Sequence, residues 1–179
     1  MSNPTYEKYL SDLLNSPNFV SNDKGENDIS FWKKEEEFYF SGLYILHPKF
    51  KIDNNSEIYL KIGKTTSRYW KYLEQKKEVG LCQRITTHFR NHEGSTVLGR
   101  HITKDNSFSK RFNIDFSDRI NRMKFLRENT YFQILPLPEF NCNLESEYKK
   151  KNREILDVES FIENELRSKI RYIGFVHNR

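Results

Sequence analysis

Apolar residues recur along this chain in two rhythms, one suited to strands and one to helices. Residues 38–46 and 57–63 are dense in aromatic and branched side chains, which predicts two strands of an antiparallel hairpin joined by a long polar loop containing Asp53, Asn54 and Asn55. A helix is expected over about 67–77, then a break at Gly80 and a second helix over 81–92. Residues 93–116 contain Gly94, Gly99 and many Ser, Asn and Lys residues, and read as loop. Ser117 is placed to cap a helix reaching about Glu128, residues 131–137 read as a third strand ended by Pro136 and Pro138, and 146–170 is the longest helical pattern. The order predicts an α+β fold, a small three-stranded mixed or antiparallel sheet flanked by helices, with an N-terminal extension and insertions. The extension, residues 1–37, is expected to be a small helix around Tyr9 to Leu14 followed by a loop, and residues 38–179 to form one domain.

The chain has 179 residues, enough for one real core. Charge is distributed unevenly. Residues 1–37 hold four lysines against eight carboxylates, so the net +5 of the whole chain leaves +9 for the remainder. A basic body suggests a polyanionic partner, usually nucleic acid, although many unrelated proteins are basic. No apolar run approaches the roughly 18 residues of a membrane span, and the first residues do not read as a secretory signal, so a cytoplasmic location is expected. Cys82 and Cys142 lack metal-ligand spacing and are expected to be ordinary reduced cysteines.

Two helices carry polar residues where a core would prefer apolar ones. Wound at about 100° per residue, the last helix puts Ile155, Leu156, Ile162, Leu166 and Ile170 on one arc, with Glu159 and Glu163 inside it. A buried carboxylate needs a cation, a metal ion or a wet cleft, or its pKa rises. The ordinary alternative is a surface pair between Glu163 and Arg167 one turn on. In the earlier helix, Leu81, Ile85 and Phe89 make a stripe whose margin carries Arg84 and His88. A structural histidine, and an arginine answering a buried glutamate, are the plain readings of that pair.

Gly42-Leu43-Tyr44 on the first strand and Lys61-Ile62-Gly63 on the second resemble the paired motifs of the GIY-YIG nuclease superfamily. The run Arg84 to Phe89 resembles the family's first helix, where in several members a catalytic arginine is followed four residues later by a histidine. The run Ile162 to Leu166 resembles the helix bearing its metal-binding glutamate, and Asn178 matches its terminal asparagine. The resemblance covers residues 38–179. Lys61 stands where most members have a second tyrosine, the spacing from Tyr44 to Lys61 is long, and an insertion separates Gly63 from Arg84. Arg68 is the alternative arginine, although Tyr72 rather than a histidine lies one turn beyond it, and Glu159 is the alternative glutamate.

The resemblance implies a divalent-metal-dependent DNA endonuclease of the type II restriction kind, using Mg2+ or Mn2+. A homing, mobile-element or repair nuclease, and a non-catalytic nucleic-acid-binding module, are its alternatives. Glu163 would hold the metal and Arg84 would clamp the scissile phosphate. Tyr44 would position or activate water, its phenol, ordinarily near about 10, being helped by the charge of Lys61. His88 would accept or relay the proton, as an imidazole able to work near neutral pH, and Asn178 would orient the glutamate or a water. DNA contacts are expected from Lys64, Arg68, Tyr69, Trp70, Lys71, Arg100 and Lys104, with Lys76, Lys77, Lys110 and Arg111 adding charge. Tyr69 and Trp70 are equally suited to a packing face, and Lys149 to Lys151 to a solvated one. Cutting both strands would favour a homodimer or sequential nicking.

Overall fold

A computed structural model describes residues 3–20, 35–51, 58–89 and 97–171. Asn178 and the expected loop residues Asp53 to Asn55 lie outside the described residues. The fold is α+β, with small antiparallel strands flanked by seven helices among those residues. In chain order these are α1 (Pro4–Leu14), β1 (Asn18–Val20), β2 (Gly42–Pro48), β3 (Lys61–Thr65), α2 (Tyr69–Gln75) and α3 (Gly80–Phe89). There follow α4 (Val97–Lys104), α5 (Asn106–Phe112), α6 (Arg119–Asn129), β4 (Thr130–Pro136) and α7 (Tyr148–Glu165). No helix among the described residues is long and apolar enough to cross a membrane.

The sheet runs β1-β4-β2-β3, antiparallel throughout, so β3 lies at an edge. Strand alternation on β2 divides the core in two. Leu43 and Ile45 join Ile62, Ile155, Val158 and Ile162 beneath α7, while Tyr44 and Leu46 join Leu81, Ile85, Phe125 and Phe132 beneath α3 and α6. Because β3 is the edge, α7 on one face and α3 on the other both reach its side chains.

The three expected strands are present, and the N-terminal segment adds a fourth. β1 pairs with β4, and Leu13 of α1 is fully buried with the α7-side core, so residues 3–20 belong to the folded body rather than to an appendage. Residues 97–112, expected as loop, form α4 and α5. Leu98, Ile102 and Phe108 are buried, and the Asp105 carboxylate caps α5 by accepting from the Ser107 and Phe108 N–H groups. Asp118 rather than Ser117 caps α6. Gly80 opens α3 at φ +62°, and a Cβ there would lie 2.3 Å from the carbonyl oxygens of Tyr39 and Phe40.

α7 ends earlier than expected. After a tight turn at Arg167–Lys169 the chain returns beside Tyr59, whose N–H donates 2.6 Å to the Lys169 carbonyl. Arg171 then forks onto Asp105 at 2.7 and 3.0 Å and covers the Phe108 ring, tying the end of α7 to the α4–α5 segment.

Candidate active site

Register on the β2–β3 hairpin sets Tyr44 opposite Gly63. The tyrosine ring lies over that glycine so closely that a Cβ at Gly63 would sit 2.3 Å from both Cζ and Oη. The phenol therefore runs across the backbone of the edge strand toward α3. There His88, two turns beyond Leu81 and so on the buried stripe, meets it, with Tyr44 Oη and His88 Nε2 2.9 Å apart. Tyr44 is 2% exposed and His88 1%.

Burial governs how both groups titrate. It pushes the Tyr44 phenol well above the ordinary tyrosine range; the Arg84 guanidinium pulls it back down, and Glu159 and Glu163 push it further up. His88 is lowered to about 3, by burial first and then by the positive charges of Arg84 and Lys61. Both are neutral at neutral pH. The sequence-based expectations are corrected in two respects: the cation favouring the Tyr44 phenolate is Arg84 rather than Lys61, and His88 does not titrate near neutrality. Among the described residues His88 Nδ1 has no hydrogen-bond partner, a burial that ordinarily costs about 1–3 kcal/mol. Arg84, one turn before His88, is exposed.

On the other side of the edge, α7 presents Glu159 and Glu163 one turn apart. Glu163 Oε1 lies 3.8 Å from Lys61 Nζ, with the two side chains 13% and 8% exposed. Glu163 thus pairs with Lys61, at the position where the resemblance places a second tyrosine. Glu159 is pushed up to about 7 by burial, against the lowering effect of Lys61 and with a further upward push from Glu163.

That shift has a defined sign in stability. Native Glu159 holds its proton up to about pH 7 while the unfolded chain releases it near 4.5, so the stability it contributes is full below 4.5 and is lost as pH rises through 7. His88 acts oppositely, removing stability as pH falls from 6.5 toward about 3. The difference between wild type and Glu159→Gln isolates the first. Urea unfolding is expected to show the variant's advantage growing by about 2 kcal/mol from pH 5 to pH 8; a constant difference would refute the assignment.

A groove of about 430 Å³ adjoins the cluster. Lys64, Arg68, Lys71, Lys77 and Arg84 line it, five cations against the single carboxylate of Glu78. Tyr44, Glu159 and Glu163 do not line it; Arg84 and Lys64 connect the groove to them, since both act electrostatically with Glu159. Between the lining residues Thr66 and Arg68, Ser67 enters a buried polar network in which Ser41 Oγ accepts from the Ser67 N–H and Asn141 Oδ1 accepts from the Ser41 N–H.

The other expected nucleic-acid contacts divide. Tyr69 turns away from the groove, its hydroxyl bonded to Glu36 and its ring against Phe40 and Tyr72. Trp70 is half-buried, its backbone N–H donating to the Cys142 carbonyl. Lys76 lies over the Tyr72 ring, and Arg111 donates to the Lys51 carbonyl across Phe50 and Phe112. Arg100 and Lys104 are exposed on α4, on the side of His101, whose pKa is lowered by burial and then by Lys61, Arg100 and Lys104. Lys110, Lys149 and Lys150 are exposed. Sequence reasoning missed Thr66, Tyr148 and Asn152, which line the groove from just past β3 and from α7 and carry no local motif.

Among the described residues no group of three or more His, Cys, Asp and Glu side chains converges as a metal cage. The donor set is the pair Glu159 and Glu163. Two carboxylates, one with raised proton affinity, fit magnesium or manganese, hard cations that take one or two carboxylates and complete their shell with water and substrate oxygens. No protein-family model matches the chain, and neither the curated proteins nor the solved structures contain a match.

Proposed function

We propose that this chain is a divalent-cation-dependent DNA endonuclease of the restriction type, hydrolysing phosphodiester bonds at the β3 edge. The observation that carries the reading is the juxtaposition there of a phenol–imidazole pair at 2.9 Å with a carboxylate–ammonium pair, within the electrostatic range of an exposed arginine. These are the groups an in-line displacement at phosphorus uses: a proton acceptor, a cation for the developing charge and a carboxylate for a metal ion.

Arg84 meets a non-bridging oxygen and offsets the charge that grows on it. A phosphodiester there also screens the positive field lowering His88, so the imidazole becomes more basic when substrate is bound. The water oxygen then bonds to phosphorus as the ester bond to the leaving sugar oxygen breaks, that oxygen taking its proton from solvent; Tyr44 takes the proton of the attacking water as its own passes to His88 Nε2, which avoids a free phenolate in a buried site. Lys61 holds the Glu163 carboxylate at the edge. A divalent cation on Glu163, with Glu159 beside it, would supply Lewis-acid polarisation of the phosphoryl oxygen. Cutting both strands requires a second copy or two successive nicks.

A second reading, a binding module without hydrolysis, is favoured by one observation, the 2% exposure of Tyr44. Supercoiled plasmid separates the two. With Mg2+, the wild-type chain is expected to nick it, and chelation or Glu163→Ala to stop nicking while binding persists; binding without any nicking by wild type favours the module.

A further inference from the structure

The groove beside the cluster has features that the chemistry at Arg84 leaves unused. Lys64, three residues along β3 from Lys61, is half-buried. Its ammonium is held by Asn152, whose side-chain oxygen also accepts 3.0 Å from Thr66 Oγ1. Asn152 therefore spends its acceptor on the strand, and its amide N–H groups have no partner among the described residues. Burial draws Lys64 below the ordinary lysine range, a cost that an anion in the groove would offset. Across the groove, the Arg68 guanidinium lies 4.7 Å over the Tyr148 ring, which fixes it in place while leaving its N–H edge available.

Size restricts the ligand. A cavity of about 430 Å³ is in the range of small-molecule sites and has room within it for one backbone unit. Five cations and one carboxylate select an anion. We propose that this groove holds a second phosphate of the same DNA strand, the neighbour of the one at Arg84, with Lys64 and Arg68 as its principal contacts. The inference rests on the endonuclease reading for the position of the first phosphate. It adds that the substrate is gripped as a chain, through a contact a mononucleotide cannot make.

The test is fluorescence anisotropy on the full chain carrying Glu163→Ala, with magnesium, using a labelled thymidine tetranucleotide and labelled thymidine monophosphate. The tetranucleotide is expected to bind about tenfold more tightly. Lys64→Met and Arg68→Gln are each expected to weaken it about tenfold and to reduce the slope of log affinity against log salt by about one. Lys150→Ala, on the exposed face of α7, changes neither. Arg68 is exposed, so its variant carries the test even if Lys64→Met fails to fold. Equal affinity for the two probes, or an unchanged affinity and salt slope in Arg68→Gln, overturns the proposal. A wild-type chain that never nicks plasmid, yet loses tetranucleotide affinity in these variants, removes the hydrolytic reading and leaves the strand-binding groove standing.

Discussion

Arg84→Ala is expected to slow plasmid nicking by about 10³-fold, the upper range for loss of one donor to a developing oxyanion, without unfolding the protein. The guanidinium is exposed and forms no hydrogen bond or ion pair with another described residue, so its removal takes nothing from the core. Its field is nevertheless felt by the buried pair, lowering His88 and favouring the Tyr44 phenolate. The variant should therefore show an altered pH–rate profile as well as a lower rate, because imidazole and phenol both shift upward when the nearby charge is gone. Arg84→Lys should recover only part of the rate, since an ammonium lacks the planar fork. Single-turnover nicking across pH, beside urea unfolding, reads both effects. A rate within threefold of wild type would remove Arg84 from the chemistry.

The second large effect comes from one methyl group. In Gly63→Ala the new Cβ meets the Tyr44 ring at 2.3 Å, a distance no side chain tolerates, with the ring itself 2% exposed and bounded by His88. Either the hairpin opens or the phenol leaves its place. Overpacking of this kind costs about 1–3 kcal/mol, and the expected result is a chain destabilised by about that amount and without nicking activity. Pairing it with Tyr44→Ala distinguishes the causes: the double variant, with the ring gone, should regain much of the stability of Tyr44→Ala alone while remaining inactive. If Gly63→Ala is as stable and as active as wild type, the ring does not lie where the geometry puts it.

Much of this arrangement was legible in local sequence because the residues concerned sit in strongly patterned segments. Glu159 and Glu163 stand out from the apolar arc of α7, and Tyr44 and Gly63 fall on adjacent strands whose pairing follows from two runs of branched and aromatic residues. What was not legible depends on contacts between distant segments. The Lys61 partner is a glutamate about a hundred residues away, and nothing near Lys61 announces it. His88 lies on the margin of a helical stripe in sequence, yet it is fully enclosed because α3 packs against both β2 and β3; that burial, rather than the residue type, takes its pKa from near neutral to about 3. β1 is three residues long, too short to show a period. In α4 and α5 the buried Leu98, Ile102 and Phe108 are diluted by polar neighbours, so the helices are recognisable mainly through Asp105. Tyr69 shows the limit for aromatic residues: its spacing suits a stacking platform and a packing face equally, and its neighbours Phe40 and Tyr72 decide for packing.

The claim on which the account depends is that the Tyr44–His88 pair and the Lys61–Glu163 pair work on one phosphorus atom. Conversion of supercoiled plasmid to nicked circles, timed with excess protein and Mg2+, addresses it directly in wild type, Tyr44→Phe and Glu163→Ala. The account predicts steady conversion by wild type and at least about a hundredfold loss in each variant, consistent with removal of a positioned proton-transfer group or of a metal ligand, with plasmid binding preserved. Nicking at the wild-type rate by either variant, or plasmid bound but left intact by wild type, would contradict it.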